Sequence, residues 1–432
     1  LNNAADLNSN MIVLVNDNDM SIAENHGGLY KNLALLRETK GKAENNFFTS
    51  LGFKYVYIDG GNDITSLITT FKDAKDSNEP LVIHMHTKKG KGFTIAEENK
   101  ETWHWTMPGT ISASKENEKV TTEKVENYAT LMTDIIEKKY QEDSTVIAIS
   151  PATPGISGFT KDFRDRAGKQ YIDVGIAEEH AIAFASGIAA NGGKPILAIH
   201  SSFIQRTYDQ LSQDLCLNSN PATIVVFNNG ITGSDATHLG TFDIPLISNI
   251  PNMVYLAPTN KEEYISMLEW SIEQKEYPVA IRVPKGKVVT TNRKDITDYS
   301  KLNTFKVVEK GSRVAIVALG SFFSLGESVK DKLKTDLNIN ATLINPRYIT
   351  GVDTNVLESL KEEHDLVITL EDGILDGGFG EKITRFYSKD TMKVINYGGD
   401  KEFTDRVPLD ELYNRYHLTE ELIVSDISNI IK

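Results

Sequence analysis

The amino-acid sequence predicts an α/β fold with three domains, each built on a parallel sheet. Short apolar runs with strand composition alternate with amphipathic segments of helical period along the 432 residues. Such alternation is typical of parallel strands that are joined by crossover helices. A chain of this length is also too long for one hydrophobic core, because single cores stop growing at about 250–300 residues. The apolar runs fall into three groups, and we expect each group to form its own sheet.

The first group holds three strand-like runs near the start of the chain. These runs are MIVLV, YVYI and LVIHMH, at 11–15, 55–58 and 81–86. The other two groups hold six and four runs, so we expect the first domain to be incomplete. The chain also begins at Leu1, only ten residues before a run typical of a buried strand. We therefore expect the amino-terminal part of this domain to lie outside the given chain.

The second and third groups carry the remaining predicted strands. In the second group they are TVIAIS, YIDV, PILAIH, TIVVF, MVYLA and PVAIRV, at 145–150, 171–174, 195–200, 223–227, 253–257 and 278–283. In the third group they are RVAIVALG, ATLINP, LVITLE and KVINYG, at 313–320, 341–346, 366–371 and 393–398. Intervening segments such as KEEYISMLEWSIEQ have the apolar spacing of helices that pack on a sheet.

Two polar stretches without an apolar period separate the three groups. The first stretch, MPGTISASKENEKVTTEK, covers 107–124, and the second, TTNRKDITDYSKLNTF, covers 290–305. Stretches of this composition are typical of loops and linkers. The predicted domains are therefore 1–106, 125–289 and 306–432.

The composition argues against several classes of partner and location. The 60 acidic residues exceed the 46 Lys and Arg, which gives a net charge of −14 without a basic stripe that could follow a nucleic-acid backbone. No apolar run reaches the roughly 18 residues of a membrane span. The single cysteine, Cys216, excludes an internal disulfide framework and is predicted to be a core side chain rather than a nucleophile. We expect a cytoplasmic protein that binds neither nucleic acid nor a membrane.

Two adjacent carboxylates begin a helix-like segment in DVGIAEEHAIAFASG, at 173–187. Glu178 and Glu179 follow a predicted strand and precede a run of small apolar residues. Acids in the first turn of a helix stabilise its dipole, and on that interpretation they need no chemical role. The turn after a strand of an open α/β sheet is, however, the place where such folds bind ligands. Both interpretations are open at this point.

Oxygen-rich side chains follow the first predicted strand in LVNDNDMSI, at 14–22. Residues 16–19 are all Asn or Asp. Such side chains at the carboxyl end of a strand could bind Mg²⁺, which prefers a few protein oxygens together with ligand phosphates. The residues by themselves favour the simpler alternative of an Asn/Asp turn.

Four further motifs give these two stretches a common context. They are TKKGKG, WHW, SSFIQRTYDQ and SDATHLGTFD, at 87–92, 103–105, 201–210 and 234–243. Together the six stretches resemble those of the 1-deoxy-D-xylulose-5-phosphate synthases, a family of thiamine diphosphate enzymes in the transketolase superfamily. The resemblance runs in order from Leu1 to about Ile430, and GIAEEH…SSFIQRTYDQ…THLGTFD is specific to this family. It implies a transketolase-like fold with part of a diphosphate-binding domain (1–106), a pyrimidine-binding domain (125–289) and a transketolase carboxyl-terminal domain (306–432).

The resemblance implies a catalytic role for Glu178. In this superfamily the carboxylate at this position hydrogen-bonds the aminopyrimidine of the cofactor and favours the tautomer that removes the thiazolium C2 proton. Glu179 then remains a first-turn acid. The resemblance also implies that Phe203 stacks on the aminopyrimidine, although packing in the core is the alternative for this side chain. Arg206 would support the same pocket.

Residues of the first domain also receive roles by resemblance. Asn18, through its side-chain oxygen, and Met20, through its carbonyl, would bind Mg²⁺. Ile22 would lie against the thiazolium ring, and Lys89 would reach the diphosphate or the bound intermediate. The metal-binding Gly-Asp-Gly of the family should precede Asn18 by more than the seventeen residues available, so we expect this chain to lack a complete site.

Two histidines match family histidines that face the reacting centre. His104 and His238 would transfer protons there, because imidazole changes its charge near neutral pH. Asp235 would assist them. His84 and His86 are predicted to be structural, and His180 is left open.

The sequence departs from the family pattern on the acceptor side of the site. Asn229 and Lys285 stand where the family has two arginines expected to hold the phosphate of the aldehyde, and His200 replaces a tyrosine. Arg282 is retained, and the loop at 235–238 is one residue shorter. These four residues are the candidate substrate ligands, and they form an altered phosphate clamp.

The activity implied by the resemblance is the condensation of pyruvate with D-glyceraldehyde 3-phosphate, with loss of CO₂, to 1-deoxy-D-xylulose 5-phosphate. This product serves isoprenoid, thiamine and pyridoxal biosynthesis. Thiamine diphosphate and Mg²⁺ are the expected cofactors, and a homodimer is the expected assembly. Two alternatives remain open. One is a related ketol or acetyl transfer to a different acceptor, and the other is a catalytically silent chain that binds a partner or needs a separate amino-terminal subunit.

Overall fold

The computed structural model describes residues 1–7, 9–106, 126–291 and 296–431. The predicted linker 107–124 and part of the linker 290–305 lie outside the described residues. The chain forms two compact units. The first contains Leu1–Glu123 with Asp173–Ile176, and the second contains Lys124–Ile172 with Ala177–Lys432.

The first unit holds a sheet of three parallel strands in the order β1-β3-β2. The strands are β1 (Ile12–Asp17), β2 (Lys54–Ile58) and β3 (Leu81–His86). Its helices are α1 (Asn2–Asp6), α2 (Gly28–Glu38), α3 (Phe47–Ser50), α4 (Ile64–Ala74) and α5 (Thr94–Glu98). Leu33 and Leu36 of α2 pack with Phe48 of α3 and Val82 of β3 in one small core. The amphipathic spacing of α2 therefore covers one face of this sheet.

The second unit holds two sheets, of which the first has six strands in the order β5-β4-β6-β7-β9-β8. These strands are β4 (Val146–Ser150), β5 (Tyr171–Asp173), β6 (Lys194–His200), β7 (Thr223–Phe227), β8 (Val254–Leu256) and β9 (Val279–Arg282). The helices are α6 (Tyr128–Glu142), α7 (Lys161–Ala167), α8 (Glu178–Ala190), α9 (Ser201–Ile204), α10 (Asp243–Ser248) and α11 (Lys261–Glu273). The pairings from β4 through β6, β7 and β9 to β8 are parallel. The central strand β7 is buried along its whole length, as strands covered on both faces are.

The other sheet of the second unit has five strands in the order β10-β12-β11-β13-β14. These strands are β10 (Lys306–Glu309), β11 (Arg313–Ala318), β12 (Thr342–Asn345), β13 (His364–Ile374) and β14 (Lys393–Gly399). The helices are α12 (Phe323–Leu337), α13 (Thr354–Leu360), α14 (Phe379–Phe386), α15 (Leu409–Arg415) and α16 (Glu420–Ile430). Strand β10, which the sequence did not predict, is a short antiparallel edge strand beside β12. Its four residues, KVVE, are only partly buried and are too few to give an apolar run.

Every apolar run predicted as a strand forms one, and the α/β class with parallel sheets is confirmed. Most of these parallel strands are buried on both faces, which makes each of them a continuous apolar run in the sequence; β1 and β2 are only partly buried, but their residues are still mainly apolar. Within the described part of the chain, no helix is long and apolar enough to cross a membrane. The carboxyl ends of the parallel strands carry most of the motifs that the sequence singled out, and this edge is where open α/β sheets bind ligands; WHW instead follows the helix α5.

Candidate active site

The helix α8 differs from most long helices of the chain in the way it begins. Side-chain oxygens of Asn127, Asn260 and Thr419 cap α6, α11 and α16. The N-cap of α8 is Ala177, which makes no side-chain hydrogen bond, and two acids fill the first turn instead. Glu178 is the first residue of the helix and is buried. A carboxylate thus occupies the positive end of the helix dipole, where it is stabilised.

Glu178 has an unusual electrostatic environment. Burial raises the pKa of Glu178 above its usual range, against the opposing effects of its own backbone amide and of Arg206. Arg206, in the turn Gln205–Thr207, places Nη1 3.0 Å from Oε2 of Glu178. The same guanidinium donates through Nη2 to Oε1 of Glu179, at 3.2 Å. Oε2 of Glu178 is ion-paired with Arg206 but accepts no hydrogen bond of good geometry from the described residues, so this buried oxygen keeps hydrogen-bonding capacity for a ligand.

Phe203, three residues before Arg206, contacts two histidine rings. Phe203, on α9, lies against His200 with ring centroids 5.1 Å apart and an angle of 22° between the rings. Phe203 also contacts the ring of His238 edge to face, with ring centroids 5.7 Å apart. Phe203 is half-buried, and it is not one of the side chains that fill the main core. The structure therefore brings together three residues that the sequence singled out separately, from the ends of two different strands.

His200 ends β6 and is buried. The amide of Asn228 donates to its Nδ1 at 3.2 Å, which places the ring proton on Nε2. Burial, with a contribution from His238, lowers the pKa of His200 to about 4. Its Nε2 has no hydrogen-bond partner among the described residues. His200 is thus a neutral ring with a buried, unused donor, and such donors are uncommon because they are costly.

His238 is held by its own loop. Oδ1 of Asp235 lies 3.0 Å from Nδ1 of the ring and also accepts from the hydroxyl of Thr237. These hydrogen bonds hold the pKa of Asp235 well below its usual range, so the carboxylate is charged at neutral pH. The charged acceptor fixes Nδ1 of His238 as a donor and leaves Nε2 for other partners. The pairing of Asp235 with His238 that the sequence predicted is therefore present as a contact.

The candidate acceptor ligands are strongly engaged inside the protein. Asn229 is only 1% exposed, and its Nδ2 donates to the carbonyls of Val226 and Val283, both at 2.9 Å. Arg282 makes a buried two-pronged pair with Asp243, at 2.7 and 3.1 Å. The side chain of Asn229 thus ties the ends of β7 and β9 together, and Arg282 neutralises a buried acid.

Arg282 and Lys285 both contact Asp372, a residue that the sequence did not single out. Nη2 of Arg282 donates to the backbone carbonyl of Asp372 at 2.6 Å, and Nζ of Lys285 lies 3.6 Å from Oδ2 of the same residue. Lys285 also donates to the carbonyl of Ile231. Asp372 lies within the long strand β13, where the run LVITLED carries two acids into the core. The sequence did contain a signal for Asp372. Carboxylates are almost never fully buried without a partner, so two acids at the end of an apolar run indicate a buried charge pair.

In the first unit, the predicted Mg²⁺ ligands lie in one turn after β1. Oδ1 of Asn18 accepts from the backbone amide of Met20 at 3.1 Å, which is the Asn/Asp turn that the residues favoured. Lys89 follows β3 and donates to the carbonyls of Ser21 and Ile22, at 2.6 and 3.1 Å. Burial lowers the pKa of Lys89. The structure therefore brings Asn18, Met20, Ile22 and Lys89 together at one strand edge.

A buried charge network supports this turn. Asp17, at the end of β1, accepts from Nη1 of Arg37 at 2.6 Å and pairs with Nε2 of His84 at 2.9 Å. Burial raises the pKa of Asp17, but these hydrogen bonds outweigh it and lower the pKa to about 2. Nδ1 of His84 contacts the hydroxyl of Tyr55 at 2.7 Å. His84 is thus fully buried with both ring nitrogens partnered, which is the arrangement of a structural histidine.

Two other histidines of the first unit lie near solvent. His104 is in the turn Thr102–His104, and burial together with the charge of Lys89 lowers its pKa. His86 ends β3, with Nδ1 3.7 Å from Oδ1 of Asp59. It lines a cleft of about 580 Å³ at the carboxyl ends of β1, β2 and β3. Asn18 and Lys88 line the same cleft, so the ligand-binding edge of this sheet is open.

Comparisons with known proteins place this chain in a family. Family models for the pyrimidine-binding domain of transketolase, the C-terminal domain of transketolase and 1-deoxy-D-xylulose-5-phosphate synthase match residues 125–290, 303–423 and 1–44. The 1-deoxy-D-xylulose-5-phosphate synthase of Clostridium tetani is 33% identical over the whole of this chain and 75% of its own length. The chain belongs to the 1-deoxy-D-xylulose-5-phosphate synthase family. Members of this family are thiamine diphosphate-dependent transferases.

Other relatives agree with membership of the synthase family. The synthase of Clostridium botulinum strain Eklund 17B is 33% identical over 97% of this chain and 72% of its own length. The synthase of Pseudoalteromonas translucida is 31% identical over the whole of this chain and 74% of its own length. Among solved structures, a split-gene transketolase in the form of an inactive beta4 tetramer matches with a TM-score of 0.61 and 20% identity. It covers 70% of this chain and 97% of its own, which confirms the transketolase-like fold.

The donor set after β1 fits the metal that the synthase family is expected to use. Within the described ranges, no group of three or more His, Cys, Asp or Glu side chains could hold a metal ion. Asn18 and Met20 offer instead an amide oxygen and a backbone carbonyl close together in one turn. Hard oxygen donors of this kind suit Mg²⁺, which completes its shell with water and phosphate oxygens.

Proposed function

We propose that this chain catalyses the condensation of pyruvate with D-glyceraldehyde 3-phosphate to 1-deoxy-D-xylulose 5-phosphate and CO₂, with thiamine diphosphate and Mg²⁺ as cofactors. Membership of the synthase family supports the reaction. The observation that carries the proposal is the buried carboxyl of Glu178 at the start of α8, with an oxygen that accepts no hydrogen bond of good geometry from the described residues. Beside its ion pair with Arg206, an acid in such a position retains hydrogen-bonding capacity for a ligand.

Glu178 would act by sharing a proton with the aminopyrimidine ring. When bound, thiamine diphosphate supplies the electron sink for the carbanion that decarboxylation generates. Burial raises the pKa of Glu178, which favours a carboxyl that keeps its proton in a hydrogen bond to a ring nitrogen. The apolar side of α8 excludes water from this hydrogen bond, where low polarity strengthens it. Arg206 limits the rise in pKa and orients the carboxyl.

Phe203 would contact the aminopyrimidine, and the two histidines beside it would act on the acceptor. Phe203 offers a half-buried aromatic face for stacking. His238 would transfer protons to and from the acceptor through Nε2, because Asp235 fixes the other ring nitrogen. His200 would donate from Nε2 to an oxygen of the substrate, and this would satisfy its buried donor.

Residues of the first unit would hold the diphosphate end. Asn18 and Met20 would bind Mg²⁺ through oxygen, and Ile22 would provide an apolar contact for the thiazolium ring. Lys89 is tied to the carbonyls of Ser21 and Ile22, so its ammonium would be positioned for an anion without further ordering. His104 would take part in proton transfer, since its lowered pKa keeps it neutral at pH 7.

A homodimer is also part of the proposal. A shallow apolar depression on α8 is lined by His180, Ala183, Phe184 and Gly187, with the rings of His180 and Phe184 stacked. Small residues on an exposed helix face allow close approach of a second chain. The cytoplasmic location expected from the single cysteine stays a prediction.

The test is a CO₂-release assay with pyruvate labelled at its carboxyl carbon, with and without D-glyceraldehyde 3-phosphate. We expect release that rises with the aldehyde and a product that co-migrates with 1-deoxy-D-xylulose 5-phosphate. Release that is indifferent to this aldehyde but rises with another would favour the related transfer to a different acceptor. That second function has some support, because Arg282 and Lys285 are paired inside the protein and Asn229 carries no charge. No release with any aldehyde would favour the catalytically silent alternative.

A further inference from the structure

Asp372 joins the third sheet to the loops that follow β7 and β9. Its side chain is almost completely buried, at 1% exposure of the residue. Oδ1 accepts from the backbone amide of Ile231 at 2.8 Å, and the backbone carbonyl accepts from Arg282 at 2.6 Å. Oδ2 accepts no hydrogen bond from the residues described, and its cationic neighbour is Lys285, with Nζ at 3.6 Å. A buried carboxylate needs such a cation, because an unpaired one is costly.

The loop after β7 is shaped for this carboxylate. Gly230 has a φ of 81°, and a Cβ at this position would lie 2.1 Å from Oδ2 of Asp372. Any larger residue would therefore displace the acid. Ile231, the next residue, makes two of these hydrogen bonds. Its carbonyl accepts from Lys285, and its backbone amide donates to Asp372. The ammonium of Lys285 is thus held by two groups, the carboxylate of Asp372 and the carbonyl of Ile231.

Lys285 lies at the ligand-binding edge of the six-stranded sheet. It follows β9, and the loop that it contacts follows the neighbouring strand β7. Asn228, two residues before Gly230, donates to His200 at the end of β6. The cations here are already paired: Arg206 with Glu178 and Glu179, Arg282 with Asp243. A phosphate group at this edge would have to compete with these carboxylates for a positive charge.

We propose that Asp372 is a specificity-determining residue, which cancels the charge of Lys285 so that a phosphate on the acceptor contributes little to binding. This inference rests on the proposed function, because it takes Lys285 as a neighbour of the acceptor. An unphosphorylated short-chain aldehyde then competes well with D-glyceraldehyde 3-phosphate. Lysine is a point charge on a flexible stem, so one buried carboxylate is enough to draw it away from the substrate.

The variant Asp372→Asn tests this inference. It retains an oxygen that can accept from the amide of Ile231, and it frees the ammonium of Lys285. The measurement is the ratio of kcat/KM for D-glyceraldehyde 3-phosphate to kcat/KM for D-glyceraldehyde, with pyruvate saturating. We expect this ratio to rise about tenfold, the scale of one charge-assisted hydrogen bond to phosphate. Inorganic phosphate should become a competitive inhibitor against the aldehyde in the variant.

Lys285→Met provides the matched control. Alone, it should change kcat/KM for both aldehydes by the same factor, and in the double variant with Asp372→Asn it should cancel the rise in the ratio. A ratio that stays at the parent value in folded Asp372→Asn overturns the inference. So does a ratio that falls tenfold in Lys285→Met, because the parent lysine would then already hold the phosphate. The second outcome is measurable even if Asp372→Asn fails to fold.

Binding of inorganic phosphate separates this inference from the proposed function. Calorimetric titration of the parent chain and Asp372→Asn needs no catalytic turnover. If neither chain releases CO₂ with any aldehyde, the proposed function fails, and tighter phosphate binding by the variant would still support the role of Asp372. Equal phosphate affinities in active chains would overturn the role of Asp372 and leave the function standing.

Discussion

The guanidinium of Arg206 lies 3.0 Å from Oε2 of Glu178 and at the same time donates to Glu179. The two acids are neighbours in one helical turn and share one cation, yet the side chain of Glu178 is 4% exposed and that of Glu179 is 39% exposed. Burial therefore separates two residues that are chemically identical in the sequence. This difference gives the first prediction its control.

Glu178→Gln should slow the exchange of the C2 proton of bound thiamine diphosphate by at least about 10²-fold, because the amide cannot share a proton with the ring nitrogen as the acid does. Exchange is measured by NMR after rapid mixing with deuterated solvent. Glu179→Gln changes the same first turn and the same arginine contact, and it should alter the rate only a fewfold. Equal slowing in both variants would assign the effect to Arg206 or to the helix rather than to Glu178.

His200 should stay neutral down to unusually low pH. Its pKa is lowered to about 4 by burial and by His238, from a usual value near 6.5. The unfolded chain therefore gains a proton below pH 6.5 that the folded chain does not, so the stability from this residue is present above pH 6.5 and lost as the pH falls towards 4. The total is about 3 kcal/mol. An NMR titration of the ring protons checks the value, and a midpoint near 6.5 would contradict it.

His200→Phe isolates this contribution to stability. Phenylalanine retains a ring against Phe203 and removes the buried Nε2 donor. The free energy of unfolding of the variant should therefore depend less on pH between 6.5 and 4 than that of the parent. Denaturant unfolding at two pH values measures the difference, and parallel pH profiles would count against a buried neutral His200.

Arg282 should matter for stability rather than for acceptor affinity. Removal of its charge in Arg282→Met leaves Asp243 buried beside Tyr255 without a cation, and we expect a loss of about 3–5 kcal/mol of unfolding free energy. The double variant Arg282→Met with Asp243→Asn removes both charges and should recover part of the loss. A stable Arg282→Met with a raised KM for the aldehyde would instead support the substrate role that the sequence predicted.

Asp17 should make the first unit sensitive to acid. Its pKa is lowered to about 2, so the stability from its pairs with His84 and Arg37 is complete above the unfolded value of 3.8 and is lost as the pH falls towards 2. Asp17→Asn should cost about 2 kcal/mol at pH 7 and about half of this at pH 3. Denaturant unfolding at both pH values measures the loss. Asp59→Asn is the control, since Asp59 is exposed and its pair with Lys40 is in solvent; an equal loss in both variants would contradict the role of burial.

The sequence could predict the fold class because both faces of most strands are buried. A buried parallel strand such as β7 is a continuous apolar run, and no tertiary information is needed to find it. The edge strand β10 was missed for the same reason, since a partly buried strand of four residues has no such run. Motifs such as GIAEEH and SSFIQRTYDQ likewise depend on adjacent residues, and they were sufficient for the family.

Local sequence thus determined where the strands end, that Glu178 begins a helix, and that Asp235 precedes His238 by one turn. Only the tertiary structure decided which charges are already paired. Asp372 is more than eighty residues from Lys285 in the chain, and Asp243 is 39 residues from Arg282. Nothing in the neighbourhood of either cation indicates its partner, because the pairs form across strands and sheets. The free energy of a buried charge depends on such distant partners. The sequence alone therefore could not show whether Arg282 and Lys285 are paired inside the protein or available to the acceptor.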